Sequence, residues 1–201
     1  MAEINESISS FQNHIMSKIL MSDNIVRAVA DSHPDFLSNR YEIANDIDEK
    51  YNIVDGNLRD YIVDEDKKLI HRFALKYDRV MPYLYDNDTI TNQAVFIFFD
   101  ISHDSTSRYV SRGSQNKLII PYEIYINIYV HNNLVVTSYS KSRSVYIAEE
   151  IEALLRGNTI GRGNNTSFTD VEIRYNRPQA LMNGRIHGRN MLFTTTGLVT
   201  C

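Results

Sequence analysis

Apolar residues at the start of the chain recur at a helical interval, with Ile4, Ile8, Phe11, Ile15 and Ile19 spaced four, three, four and four apart. That spacing puts them on one face and predicts an amphipathic helix from about Glu3 to Leu20. Ser22 and Asp23 offer caps for a second, short helix carrying Ile25, Val26 and Val29. His33-Pro34 ends it, because proline disfavours helical geometry in the residue before it. Asn39 with Glu42 has capping-box spacing and predicts a third short helix through Ile43 and Ile47. Asp55-Gly56-Asn57 reads as a turn. From Tyr61 to Tyr85 two patterns compete: Leu69, Phe73 and Tyr77 at helical spacing, and an extended run over Leu75 to Leu84.

From Gln93 the period falls to two and β-branched and aromatic residues dominate. Ala94 to Ser102 is predicted as a buried strand. Lys117 to His131 is a longer one, with Ile124, Ile126, Ile128 and Val130 on the core face and Glu123, Tyr125, Asn127 and Tyr129 on a Tyr-rich polar face. Pro121 cannot donate to a ladder, which places that part of the strand at an edge or a bulge. Between the two strands, the polar stretch Asp104 to Asn116 is long for a hairpin and reads as a binding arm or loop tip. Ser142 to Arg156 is the best-marked helix, with Ser142 or Ser144 as N-cap, a buried stripe of Val145, Ala148, Ile151 and Leu155, and Gly157 as a left-handed stop. After a Gly/Asn-rich connection come two last strands, Phe168 to Tyr175 and Asn190 to Val199, joined by the Arg-rich arm Asn176 to Arg189. The fold class is therefore α+β. An acidic, mainly helical region over 1–92 precedes a ββαββ sheet-and-helix domain over 93–201.

A chain of 201 residues is long enough to bury a real core. Its one cysteine, Cys201, rules out an internal disulfide framework and a Cys-based metal site, and fits a reducing cytoplasm. Glu3, Glu6, Gln12, Asn13, His14 and Lys18 interrupt the first twenty residues, so no signal peptide is expected there. The apolar runs are strand-sized, and neither a membrane span nor a membrane partner is expected. Charge is uneven. The first 66 residues carry 14 acidic side chains against 5 basic ones, whereas from Ala153 onward six arginines face only Asp170 and Glu172. Ends of opposite sign would attract each other between neighbouring subunits and fix their register.

Candidate chemistry is sparse. His14, His33, His71, His103, His131 and His187 have no H-x-H or H-x-x-x-H spacing that would place two imidazoles on one metal. Asp46-x-Asp48 and Asp64-Glu65-Asp66 lack the glycine and distal glutamate of a calcium loop and read as solvated helix ends. Asp100 and Glu123 invite a metal-dependent nuclease reading, but Glu123 is followed by Ile124-Tyr125, without the lysine that such a site needs. Gly161-Arg162-Gly163 and Gly184 to Gly188 do not run from a strand into a helix, and read as turns rather than phosphate loops. No catalytic residue, metal ligand or cofactor is assigned, and a non-enzymatic protein is expected. The arginines are the best functional hint, since guanidinium groups pair with phosphates and carboxylates alike. Arg162, Arg177, Arg185, Arg189, Arg108 and Arg112 are the candidates for a subunit interface or a lumen surface.

The alternating strand Ile124-x-Ile126-x-Ile128-x-Val130-His131, the arginine-led helix Arg143 to Leu155, the loop Gly157 to Gly163 and the closing element Gly188-Arg189-Asn190-Met191-Leu192-Phe193 resemble the neck and tail-terminator family of tailed bacteriophages. The resemblance covers about half the chain. It implies a structural virion protein, assembled in the host bacterial cytoplasm, forming a ring of six or twelve copies that terminates the tail tube or joins it to the head. Its implied partners are copies of itself, other neck, portal or tail-tube proteins, and DNA passing through the lumen without sequence specificity. A DNA-binding accessory module is the alternative from another class, and a metal-dependent nuclease the third.

Overall fold

The structure, a computed structural model, describes residues 2–37, 42–44, 69–83, 93–103, 108–112, 115–156, 160–162 and 166–200. The chain enters through helices α1 (Ala2–Met21) and α2 (Asp23–Ala30). Short strands β1 (Glu42–Ala44) and β2 (Leu69–His71), a 3-10 turn at Arg72–Leu75, and strand β3 (Val80–Met81) follow. Then come β4 (Val95–His103), β5 (Arg108–Arg112), β6 (Gln115–His131), helix α3 (Arg143–Leu155), β7 (Ile160–Arg162), β8 (Thr166–Leu181) and β9 (Ile186–Thr200).

Two of the predicted helices stand almost where the periodicity puts them. In α1, Phe11, Ile15 and Ile19 are buried together with Met16 and Leu20. Ser22 caps α2 by accepting the Ile25 N–H at 3.4 Å, and the helix stops at Asp31, ahead of Pro34. The helix expected from Asn39 through Ile47 is corrected over its described part. Glu42–Ala44 is a strand, pairing in parallel with β2 through Glu42↔Leu69, Ile43↔Ile70 and Ala44↔His71. The capping-box signal is local, and it loses to a pairing with residues far along the chain. Asp55-Gly56-Asn57 and Ile47 lie outside the described residues. The ambiguous stretch resolves, in its described part, into β2, the 3-10 turn and β3, so neither a continuous helix nor a continuous strand forms.

Among the described residues the main sheet has seven strands, in the order β3-β4-β6-β9-β8-β7, with β5 pairing β6 beyond the end of β4. The fold is mixed α+β with a helical N-terminal region, as the periodicities imply, but the expected ββαββ arrangement becomes three strands, α3 and three more strands. Two segments account for the difference. Arg108–Arg112, inside the polar stretch read as an arm, pairs antiparallel with Gln115–Ile119. The Arg-rich arm Asn176 to Arg189 is no arm: its residues extend β8 and β9, paired from Asn176↔Met191 to Leu181↔Ile186 around a turn at Met182–Gly184. Pro178 and two glycines made this stretch read as a loop. Pro121 sits inside β6, between Tyr122, the last residue paired with β4, and Ile119, the first paired with β5. On that side it is therefore at a gap between two ladders rather than at the sheet's rim, while across the other side it is paired with Thr196 of β9.

All three helices pack on one face of the sheet. Ile124, Ile126, Ile128 and Val130 of β6 are fully buried there, in one cluster with Phe11, Ile15, Ile25, Phe36, Ile70, Ile147, Ile151, Met191 and Phe193. Each such side chain contributes roughly 1.5–3 kcal/mol by leaving water. The stripe of α3 is Ser144, Ile147, Ala148, Ile151 and Leu155, with Val145 only half-buried. Ser142 occupies the N-cap position without a side-chain cap bond, and the Arg143 N–H donates to Val135 O at 3.0 Å. At the other end Arg156 is extended (φ −62°, ψ 130°), and Gly157 lies outside the described residues.

The largest fully buried side chain is not apolar. Arg143, 0 % exposed, donates from Nε to Leu134 O at 2.9 Å, from Nη1 to Ala28 O at 3.0 Å and to Asp31 O, and from Nη2 to His33 O at 2.8 Å. Its guanidinium also lies 4.7 Å from the centre of the Phe36 ring, which Tyr139 and Tyr146 flank edge-on. Burial pulls this cation down to about 10, partly offset by Asp31 and Tyr139, so it stays charged at neutral pH. The last carbonyls of a helix have no partner within it, and here Arg143 on α3 supplies donors to those of α2.

Two substitutions test these packing assignments by urea denaturation. Arg143→Ala strands four carbonyl oxygens, two of them in buried bonds, and is expected to cost about 3 kcal/mol or more, since a hydrogen bond to a charged group contributes roughly 1.5–3 kcal/mol. Arg143→Lys should recover little of that loss, because an ammonium lacks the planar fork that reaches three separate chain segments. Gly188→Ala tests the sheet. A Cβ there would stand 2.3 Å from Ile128 O and 2.9 Å from the Tyr129 ring, forcing the strands apart at an expected cost of about 1–3 kcal/mol.

Candidate interaction face

With α1, α2 and α3 on one face of the sheet, the opposite face of β6, β9 and β8 carries the polar half of the alternation. Paired residues of antiparallel strands share a face, so the register defines its rows. One runs Asp100, Tyr125, Leu192, Tyr175, and the next Phe98, Asn127, Asn190, Arg177. The third runs Phe96, Tyr129, Gly188, Gln179. The β4 end of this face is not the polar surface that the alternation implies. Phe96, Phe98, Tyr129, Met81, Ala94 and Ile186 form a second, smaller apolar cluster, with Tyr129 only 4 % exposed. Tyr129 lies over Gly188, whose missing side chain leaves room for the ring.

The β6–β9–β8 part is different in kind: Tyr125, Asn127, Tyr175, Asn190, Leu192 and Thr194 are half-buried, and Arg174 and Arg177 exposed. Tyr125 donates to Glu123 Oε2 at 2.5 Å, and that bond, more than burial, raises its phenol above the usual range. Asp100 Oδ1 accepts the Ile101 N–H at 2.8 Å. Arg174 Nε donates to Thr194 Oγ1 at 3.1 Å, and Arg177 lies 4.9 Å from the centre of the Tyr175 ring. Three side-chain oxygens, Asn127 Oδ1, Asn190 Oδ1 and Gln179 Oε1, are shut off from solvent and have no hydrogen-bond donor among the described residues. Unsatisfied acceptors of this sort cost about 1–3 kcal/mol each.

The six arginines singled out from the sequence do not gather at one place. Arg177 is on the outer face, and Arg185 is exposed at the β8–β9 turn. Arg189 belongs to the helix side. Its pairing partner across β6 is the buried Ile128, and it donates to Asn176 Oδ1 at 2.6 Å and to Asn176 O at 3.3 Å. Beside it, Ser142, Ser144, Val145, Pro178 and His187 line an open cavity of about 360 Å³. Arg162 is in β7, and Arg108 and Arg112 are at the two ends of β5, opposite Ile119 and Gln115. Arg174 was counted in the sequence but not singled out, although it stands beside Arg177 on this face. A break in the β8–β9 register between Ile173 and Tyr175 turns it there, and strict alternation does not show such a break.

Asp100 and Glu123 share the outer face one row apart, each engaged as described. Among the described residues no three His, Cys, Asp or Glu side chains gather as a metal site would require. Nor is any helix among them long and apolar enough to cross a membrane.

These features define a mixed α+β protein whose sheet is roofed by helices on one side and, among the described residues, carries a Tyr/Asn/Arg-rich face without a helix on the other. The sequence profile of the YomW family matches residues 22–195, and the chain belongs to that phage-derived family. No curated protein matches the sequence. Among solved structures, a chain described as "Virion of native gene transfer agent (GTA) particle" is similar at 8% identity and a TM-score of 0.35, over 59% of this chain and 78% of that one. So distant a likeness carries neither fold nor function.

Proposed function

We propose that this protein is a non-enzymatic structural component of a phage virion, and that it works as a subunit of a homo-oligomeric ring in the neck. In that role it terminates the tail tube or joins it to the head, with DNA passing through the lumen and other neck, portal or tail-tube proteins as neighbours. Membership of a phage-derived family supports the virion setting. The observation that carries the structural role is the one-sided roof. A sheet whose described helices all lie on one face, with half-buried Tyr, Asn and Leu side chains on the other, has the composition of a surface that another chain completes. Long strands suit a load-bearing subunit, since β6, β8 and β9 run 17, 16 and 15 residues and pair along most of their length.

A second reading, a DNA-binding accessory module, draws on the exposed Arg174, Arg177 and Arg185. It predicts duplex binding by the isolated chain that weakens steeply with salt.

Particle composition tests the structural reading directly. Mass spectrometry of purified particles should find the chain in a fixed ratio of six or twelve copies, and labelled antibody should mark the neck. Absence from purified particles, with the phage otherwise intact, would refute it.

A further inference from the structure

Arg189 is a cation on the helix side of the sheet with no anion to match it. Its Nε and Nη2 donate to the neutral Asn176, through Oδ1 and O, and among the described residues no carboxylate pairs with it. Its Nη1 makes no hydrogen bond there. The cavity beside it has the start of α3 for its other wall, and that helix end is uncapped. Ser142 stands at the N-cap position, yet its hydroxyl accepts no backbone N–H. The N–H groups of Ser144 and Val145 therefore have no partner among the described residues. A first turn in this state concentrates partial positive charge.

The side chains of the cavity add donors rather than acids. Ser144 is only 5 % exposed, and its hydroxyl meets nothing but that of Ser142, at 3.3 Å. One contact between two hydroxyls engages one proton, so the second is left without an acceptor, a costly condition for a buried donor. His187 contributes an imidazole that makes no hydrogen bond among the described residues. No Asp or Glu is among the residues that line the cavity. Neighbouring cations are committed elsewhere: Arg143 turns to the α2 carbonyls, and Lys141 pairs with Glu149.

We propose that this cavity binds a phosphate group, as the free ion or as the monoester of a small organic molecule, between the Arg189 guanidinium and the first-turn amides of α3. A guanidinium and helix N-terminal amides are both suited to phosphate oxygens. Here they approach from two sides, strand and helix, which fits an ion with oxygens all round better than a flat carboxylate. The volume of about 360 Å³ lies at the small end of the range for bound small molecules, roughly 300–1,000 Å³. The site is separate from the outer face of the sheet and does not depend on the ring reading.

Titration calorimetry and amide chemical shifts on the full-length chain in phosphate-free buffer test this, with inorganic phosphate and glycerol 3-phosphate as probes and acetate as the flat comparison. Both phosphates should bind saturably and move the Ser144 and Val145 amide signals, with acetate at least tenfold weaker. Ser142→Asp should weaken phosphate binding at least tenfold without lowering the melting temperature, because an N-cap carboxylate takes the same N–H groups from within the chain. Arg189→Gln should weaken it by a similar factor, and Arg156→Gln, at the far end of α3, should leave it unchanged. A monoester bound at least tenfold more tightly than the free ion assigns the rest of the cavity to an organic group, and equal affinity assigns the site to the ion. No saturable binding of either phosphate, binding that leaves the two amides unmoved, acetate bound as tightly, or affinity untouched in folded Ser142→Asp and Arg189→Gln would overturn the site. Duplex DNA that moves the two amides where neither small probe does would also overturn it, in favour of the DNA-binding reading.

Discussion

A guanidinium group fully removed from water ties α3 to the end of α2 and to the turn that follows β6. Arg143 opens α3, yet its donors serve other segments: the end of α2 at Ala28 and Asp31, the turn beyond it at His33, and Leu134 after β6. Among the described residues no loop or cap N–H donates to those carbonyls. Burying a cation is expensive unless every donor is engaged, and here four hydrogen bonds and the Phe36 ring share the charge. A neutral side chain of equal bulk would fill the space and leave the oxygens bare. The choice of arginine follows from the geometry: its planar fork reaches three places at fixed angles, which a lysine cannot do.

Arg72 repeats the device one corner earlier. It is 7 % exposed, donates from Nη1 to Leu20 O at 3.1 Å at the end of α1, and pairs through Nη2 with Asp23 at 3.0 Å in the first turn of α2. Helices α1 and α2 thus each end on a cation from a later part of the chain, which also complements the partial negative charge at a helix C-terminus. The consequence reaches the other side of the sheet. With α1, α2 and α3 locked together over the Ile124–Val130 face, no described helix covers the Tyr125–Tyr175 face.

How much of this could be read from the residues depended on whether the signal was local. The alternation of Ile124 to Val130, the four-three-four spacing of α1 and the apolar stripe of α3 report their own environment, and they placed those elements within a few residues. Arg143 carries no such mark, since three of its four carbonyl partners lie more than a hundred residues earlier. Likewise Glu42–Ala44 looks like a helix start until Leu69–His71 is placed beside it. The hairpin Asn176 to Arg189 contains Pro178, Gly184 and Gly188, a turn composition. Only Gly184, with φ +81°, serves a turn, while Gly188 sits in a strand to admit Tyr129. The outer face itself was legible as a Tyr-rich surface. Of the arginines that mark it, Arg174 joins Arg177 on this face only through a register break that strict alternation does not show.

The same break bears on what the outer edge of the sheet can pair with. Among the described residues β7 pairs with β8 only at Phe168 and Ser167, and from Thr169 to Leu181 the outer edge of β8 has no described strand beside it. A straight edge of that length would recruit any extended chain. This one is interrupted by register shifts between Thr169 and Glu172 and between Ile173 and Tyr175, and it carries Pro178, which has no N–H to give. Edges interrupted in this way resist continuous ladder pairing, so association through β8 falls to side chains projecting from its face rather than to its backbone. Side chains discriminate by charge and shape where a bare ladder would accept any strand.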